Sequence, residues 1–230
     1  AQDIFAVGDG GRILRSTGGT FQSTNSPTTQ PLRGVWGNSA TDEVWAVGNG
    51  GVILKYDRAG GSWSSVGSPT TNQLNAIWGS AKNRVYVAAN GGTVLRYDGT
   101  SWGLEMNTGV STDLLGVGGD ASKVVAVGVG GTLITSTAVN TWTSPGSGTT
   151  NTLQAAWAKA GTYWAAGTGG VRLRDSGGGF AMVTGDGEAG GFYALGGSDA
   201  ADVWAGGDGG LLTNYKTSWV GKPANPRQRI

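Results

Sequence analysis

The chain has 230 residues, only 13% of them charged, a formal net charge of +1, and neither cysteine nor histidine. Those figures exclude a disulfide framework, a thiolate nucleophile, a cysteine zinc site, a Ser-His-Asp triad and an imidazole general base. They also leave no global field to draw nucleic acid or an anionic membrane surface. The length suffices for one large domain with a sizeable core, and no apolar stretch approaches the ~20 residues of a membrane span. The N-terminal segment "AQDIFAVGDG" lacks the basic and apolar regions of a leader, so the expectation is that any signal peptide is removed or lies upstream. A cysteine-free, Gly/Ser/Thr-rich, weakly charged chain fits a bacterial exported or cell-surface protein, lipoprotein-anchored or part of a longer exported chain.

The 45 glycines are periodic. Gly-Gly pairs begin at positions 10, 50, 91, 130, 169 and 209, with spacings of 40, 41, 39, 39 and 40. A period near 40 with several short strands per unit predicts a propeller blade. The repeat units are about 1–31, 32–73, 74–113, 114–152, 153–191 and 192–223, with 224–230 a tail or linker. The expected fold is therefore all-β, a six-bladed β-propeller of five four-stranded repeats and an N-terminal three-stranded partial blade, in one domain over 1–223.

In chain order, the first unit supplies "DIFAVG", "RILRS" and "TFQSTN". The second shows the full layout: inner strand "LRGVWG" (32–37), then "VWAVG" (44–48), "VILKYD" (52–57) and "SWSSVG" (62–67). The inner strand recurs as "LNAIWG" (74–79), "LLGVGG" (114–119), "LQAAWA" (153–158) and "FYALGG" (192–197). The first three strands of a unit are apolar on both faces, as strands stacked between neighbours should be, while the fourth is more polar and suits an edge in water. Carrying the Trp63-to-Leu74 spacing of 11 onward from Trp219 puts the start of the missing inner strand at Ile230. The first blade is thus expected to be trimmed, incompletely built or three-stranded.

A glycine pair before an apolar run also suggests a phosphate loop, but such a loop leads into a helix, and no 3.6-residue periodicity follows here. The pairs Asp9-Gly10, Asn49-Gly50, Asn90-Gly91 and Asp208-Gly209 instead read as type I′ hairpin turns. Val129-Gly130 and Thr168-Gly169 should use another turn or carry strain, because a β-branched residue resists positive φ.

The pattern W-G-x-S…D-x-V-W-A-V-G-x-G-G-x-I-L-x-Y-D…W, strongest at Trp36-Gly37, Val44–Gly48 and Tyr97–Trp102, resembles the repeat of myxobacterial-type extracellular β-propeller proteins. The first unit, "FAVGDGGRILRSTGGTF", also resembles the photosystem II stability/assembly factor repeat. "YDGTSW" is similar to the Asp-box of sialidase-like propellers but one residue short between Asp98 and Trp102. No sialidase activity carries over, since its arginine triad and Tyr/Glu pair find no register here. These resemblances imply a propeller, with members that are scaffolds or lectin-like binders.

Phe5, Trp45, Tyr86, Trp164 and Trp204 recur on the second strand, and Phe21, Trp63, Trp102, Trp142, Phe180 and Trp219 open the fourth, which points to packing between blades. Trp36, Trp78 and Trp157 on inner strands are the sugar-stacking candidates, with packing the competing reading. Arg15, Lys55, Arg96 and Arg174 recur four residues after the second glycine of their pairs. They are candidates for an anionic polymer, against the plainer reading that each pairs with a nearby acid or lies along its blade. Asn49, Asn90 and Asp208 are candidate rim ligands among Ser/Thr/Asn-rich connections such as "SPTTQP" and "GSGTTNT". Asp186 and Glu188 in "GDGEAGG" (185–191) form a calcium candidate with few ligands; no other cofactor is expected. The resulting expectation is a non-catalytic extracellular binding module, lectin-like toward a glycan. The alternative is a protein-interaction scaffold or assembly factor using one blade-specific patch, and a carboxylate-pair glycosidase stands third.

Overall fold

The computed structural model describes residues 3–38, 43–183, 187, 189–216 and 218–222. The Asp186/Glu188 calcium candidate, the tail 224–230 and the Ile230 start of a closing strand lie outside them. The described residues form the six-bladed β-propeller fold that the repeat predicts, an all-antiparallel architecture of six sheets, of which the first has three strands and the others four. Two compact units divide the chain, Ala1–Met106 and Asn107–Ile230.

The first unit holds three sheets. β1 (Ile4–Val7), β2 (Ile13–Ser16) and β3 (Gln22–Thr24) make the first; β4 (Leu32–Asn38), β5 (Glu43–Gly48), β6 (Ile53–Asp57) and β7 (Ser62–Val66) the second. The third is β8 (Leu74–Ala81), β9 (Arg84–Ala89), β10 (Val94–Tyr97) and β11 (Trp102–Leu104). In the second unit, β12 (Leu114–Gly119), β13 (Val124–Gly128), β14 (Leu133–Ala138) and β15 (Thr141–Thr143) precede β16 (Leu153–Lys159), β17 (Thr162–Gly167), β18 (Arg172–Asp175) and β19 (Ala181–Met182). Its last sheet is β20 (Phe192–Asp199), β21 (Asp202–Gly207), β22 (Leu212–Tyr215) and β23 (Trp219–Lys222).

The second strands β5, β9, β13 and β17 are buried apart from the half-buried Glu43 and Arg84 that open β5 and β9, and β5 is covered on both faces by the first and third sheets of its unit. The aromatics carry this packing. Phe5 sits 4.9 Å from Tyr56 and 5.5 Å from Trp63, ring centre to ring centre, and Trp45 sits 4.8 Å from Tyr97 and 5.3 Å from Trp102. The second-strand ring of one sheet therefore meets the third-strand tyrosine and fourth-strand tryptophan of the next, and Trp164 meets Tyr215 in the same way at 4.7 Å. Edge-to-face contacts of this kind add about 0.5–1.5 kcal/mol to the area they bury.

The turns correct one expectation. Positive φ falls on the two glycines and not on the residue before them: Gly50 and Gly51 have φ 67° and 73°, and Gly130 and Gly131 have 67° and 75°. The closing bond runs from the fourth residue's N–H to the carbonyl of the residue before the glycines, Val52 to Asn49 at 3.3 Å and Thr132 to Val129 at 3.2 Å. This is the I′ arrangement centred on Gly-Gly. Val129 and Thr168 consequently occupy an ordinary position, and their sheets use the same turn as the rest, without strain.

Candidate binding surface

At the turn end of the first, second, fourth and fifth sheets the connection after the outer strand lies on the hairpin. A Cβ added to Gly51 would stand 2.0 Å from the Thr70 carbonyl oxygen, and one on Gly131 would stand 1.9 Å from that of Thr149. The Ser-x-Thr connections are locked internally. Ser68 Oγ donates to the Thr70 carbonyl at 2.9 Å, and the Asn72 N–H donates to Thr70 Oγ1 at 3.1 Å. Residues 26–30 and 147–151 repeat this pattern. The hydroxyls of Ser26, Thr28, Ser68, Thr70, Ser147 and Thr149, which looked like neutral sugar ligands, are engaged by their own backbone.

A feature the sequence does not announce organises the rest of this rim. Every complete inner strand has a register shift after its leading residue: Leu32/Gly34, Leu74/Ala76, Leu114/Gly116, Leu153/Ala155 and Phe192/Ala194. A bulge re-aims the side chain it skips, here Arg33, Asn75, Leu115, Gln154 and Tyr193. Three of them reach the residue that opens the turn. Arg33 Nε donates to Asn49 Oδ1 at 3.0 Å, Asn75 Nδ2 to Asn90 Oδ1 at 2.8 Å, and the Tyr193 hydroxyl to Asp208 Oδ1 at 2.8 Å. The Tyr193 bond, with the Gly191 N–H on Oδ2 at 2.7 Å, holds Asp208 below the usual carboxylate range. Asn49, Asn90 and Asp208 are thus each paired with a bulge residue of their own sheet. The remaining two pairs of positions carry Leu115 with Val129 and Gln154 with Thr168. The one signal in the sequence was that the second residue of each inner strand is the variable one.

At the opposite end of the first unit, Asp3 accepts from Arg15 through Nε at 3.1 Å and Nη2 at 3.0 Å, and from Arg58 Nη1 at 2.6 Å. Lys55 pairs with Glu43 at 3.0 Å and lies 4.9 Å from the centre of the Trp45 ring. Arg96 donates to the Asn83 carbonyl at 3.2 Å. In the second unit Arg174 lies over Trp164 at 5.4 Å and donates to the Tyr215 hydroxyl at 3.2 Å. Each cation stands cross-strand from a second-strand aromatic, and where that residue is Val125 its partner is Thr135. Glu43, Lys55, Tyr56, Arg58 and Ser64 line an open groove at this end, and the buried Tyr56 hydroxyl has no hydrogen-bond partner there among the described residues.

The inner-strand tryptophans are half-buried. Trp36 lies against Gly79 of the third sheet, where an added Cβ would come within 2.8 Å of its ring. Trp157 lies in the same way against Gly197, at 3.1 Å, and Trp78 pairs cross-strand with Tyr86. In the second unit a polar knot joins the fourth and fifth sheets. Asp120 accepts from the Ser122 hydroxyl (2.7 Å), the N–H groups of Ser122 and Lys123, and the Tyr163 hydroxyl (2.9 Å), while Lys123 Nζ pairs with Asp175 at 2.7 Å. Burial opposes ionisation of Asp120, but the donors outweigh it and hold its pKa at about 2.

No family model matches the chain, and no curated protein matches it in sequence. Solved structures match its shape. YCF48, a photosystem II assembly factor, solved bound to D1 peptide, superposes with a TM-score of 0.74 at 18% identity, over 96% of this chain and 77% of that one. The WD40 β-propeller domain of Doa1 gives 0.73 at 11% identity, over 96% and 79%. Virginiamycin B lyase from Staphylococcus aureus gives 0.76 at 12% identity, over 92% and 79%. At such identities the likeness is one of fold, and the chain shares the architecture of β-propellers that include both binders and a lyase.

Proposed function

We propose that the chain is a non-catalytic binding module that takes a protein partner on the turn rim, in the manner of a scaffold or assembly factor. The observation that carries this reading is the division of labour between repeated and variable residues. Groups that repeat are spent on turns, on connections and on cross-strand cation pairs. The side chains set out by the bulges differ from sheet to sheet: Arg33 and Asn75 in one unit, Leu115, Gln154 and Tyr193 in the other. A lectin with equivalent sites needs the opposite, identical free groups on every blade. Unlike side chains set side by side within one unit, Arg33 beside Asn75 or Tyr193 beside Gln154, suit one protein epitope, where Tyr and Arg are favoured anchors. A propeller solved with a peptide, YCF48, supports this as a use of the fold. An exported or surface location, expected from composition, belongs to the same proposal, as does the absence of catalysis.

The test measures capture of proteins from host extract beside a glycan array, for the wild type, Arg33→Ala/Asn75→Ala and Tyr193→Ala. The expected result is a blank array and one saturable protein partner, held at about one per chain and lost in at least one variant. Saturable binding to a family of related glycans, unchanged in both variants, would overturn the reading.

A further inference from the structure

The chain contains two Asn-Gly pairs, and both belong to the same tripeptide, Asn49-Gly50-Gly51 and Asn90-Gly91-Gly92. Their turns are alike in backbone. Gly50 and Gly91 share a φ of 67°, and in each turn the fourth N–H returns to the asparagine carbonyl, Val52 to Asn49 at 3.3 Å and Thr93 to Asn90 at 3.4 Å. What surrounds the two carboxamides differs.

Asn49 Oδ1 accepts from Arg33 Nε at 3.0 Å. A guanidinium has donors only, so the oxygen faces Arg33 and the Nδ2 amino group is turned away from it. Asn90 Oδ1 accepts instead from a neutral group, Asn75 Nδ2, at 2.8 Å. The following glycines differ as well. Around Gly50 the space is open: an added Cβ would meet nothing within 4 Å, and among the described residues its N–H makes no hydrogen bond. Gly91 is engaged, and Asn72 lies over it, with Nδ2 bonded to the Asn90 carbonyl at 3.2 Å and 3.7 Å from where a Cβ would stand.

We propose that Asn49 is a site of spontaneous deamidation, with Arg33 as the group that activates its carboxamide. The Gly50 nitrogen, unobstructed by any side chain of its own, attacks Asn49 Cγ and gives up its proton. Negative charge develops on Oδ1, where the Arg33 N–H already points, so the cation stabilises the tetrahedral intermediate more than the ground state. The Cγ–Nδ2 bond then breaks and ammonia leaves, closing a five-membered succinimide. Water reopens the ring at either carbonyl, giving aspartate or isoaspartate. Water is the only co-reactant, and the net change is amide plus water to carboxylate plus ammonium.

The aspartate product suits the turn, since Asp9 and Asp208 hold the same position in the first and last sheets. Its carboxylate stands beside Arg33 as an ion pair and cancels that residue's charge on the rim. Isoaspartate carries an extra main-chain methylene and cannot keep the four-residue turn. The reaction needs no partner, so its failure would leave the rim reading standing.

The test incubates the intact chain in mildly alkaline buffer and follows conversion at both asparagines by peptide mass spectrometry, with fragmentation that separates aspartate from isoaspartate. Asn90 is the internal control, and a parallel incubation in denaturing urea reports the rates set by the shared tripeptide alone. In the folded chain Asn49 should convert about tenfold faster than Asn90, and in urea the two should react alike. Arg33→Gln keeps a neutral donor like that of Asn75. It should bring Asn49 down to the Asn90 rate and leave Asn90 unchanged, which also reports that the fold is intact. If Arg33 merely braced the turn, its removal would speed conversion instead. Equal rates in the folded chain, a gap that persists in urea, or an Asn49 rate that holds or rises in Arg33→Gln would each overturn the proposal.

Discussion

Gly130 and Gly131 sit side by side at nearly the same φ, 67° and 75°, yet they answer to different constraints. A Cβ on Gly130 would meet nothing within 4 Å, whereas one on Gly131 would stand 1.9 Å from the Thr149 carbonyl oxygen. Gly130→Ala should therefore cost only the left-handed penalty, about 1–2 kcal/mol. Gly131→Ala adds a backbone clash and should cost roughly 3 kcal/mol or more. Urea midpoints of the two variants measure this, and equal losses would contradict the account. Val129→Asn sharpens it: an unstrained, exposed position predicts a change within about 0.5 kcal/mol, where a strained one would show a clear gain.

Between elements, the Asp120 knot ties the fourth sheet to the fifth through Tyr163, and Lys123 and Asp175 reinforce it. The folded pKa of about 2 lies below the ordinary 3.8, so folding favours the ionised carboxylate. That stability is fully present above pH ~4 and is lost as pH falls toward 2, and it amounts to about 2 kcal/mol. Asp120→Asn should thus be less stable than the wild type at pH 6, with the gap closing at pH 2.5. A gap of equal size at both values would show that the carboxylate's charge is not the source. Tyr163 is moved the other way, upward, by burial first and then by the same carboxylate. It stays neutral throughout this range.

For the molecule as a whole, the balance of charge decides what it does not attract. The net charge is +1, and the third-strand cations that resembled a polyanion track are paired or stacked within their sheets, Arg15 on Asp3, Lys55 on Glu43 and Arg174 on Trp164. Retention on a heparin column should be slight and should hardly change in Lys55→Met, since an exposed pair contributes under about 1 kcal/mol. Strong retention that falls steeply with salt and is lost in that variant would restore the cation track as a ligand site.

The period near 40, the all-β character and the three-stranded first unit were legible in the chain alone. They rest on local chemistry: glycines supplying positive φ, apolar runs too short for helices, and aromatics returning at one strand position. The hairpins were legible in kind but misplaced by one residue, because Asx-Gly is the commoner I′ pair and Gly-Gly fills the same two positions. What only the tertiary structure decided was the use of each side chain. The bulge after Leu32 or Leu74 leaves no mark of its own in the sequence. It appears only when the inner strand pairs with its neighbour, and it sends Arg33 and Asn75 to the rim. Likewise Asp3 meets Arg58 across 55 residues, and Tyr163 meets Asp120 across 43. Such partners are chosen by which sheets stack and in what register, a long-range property that no window of sequence contains.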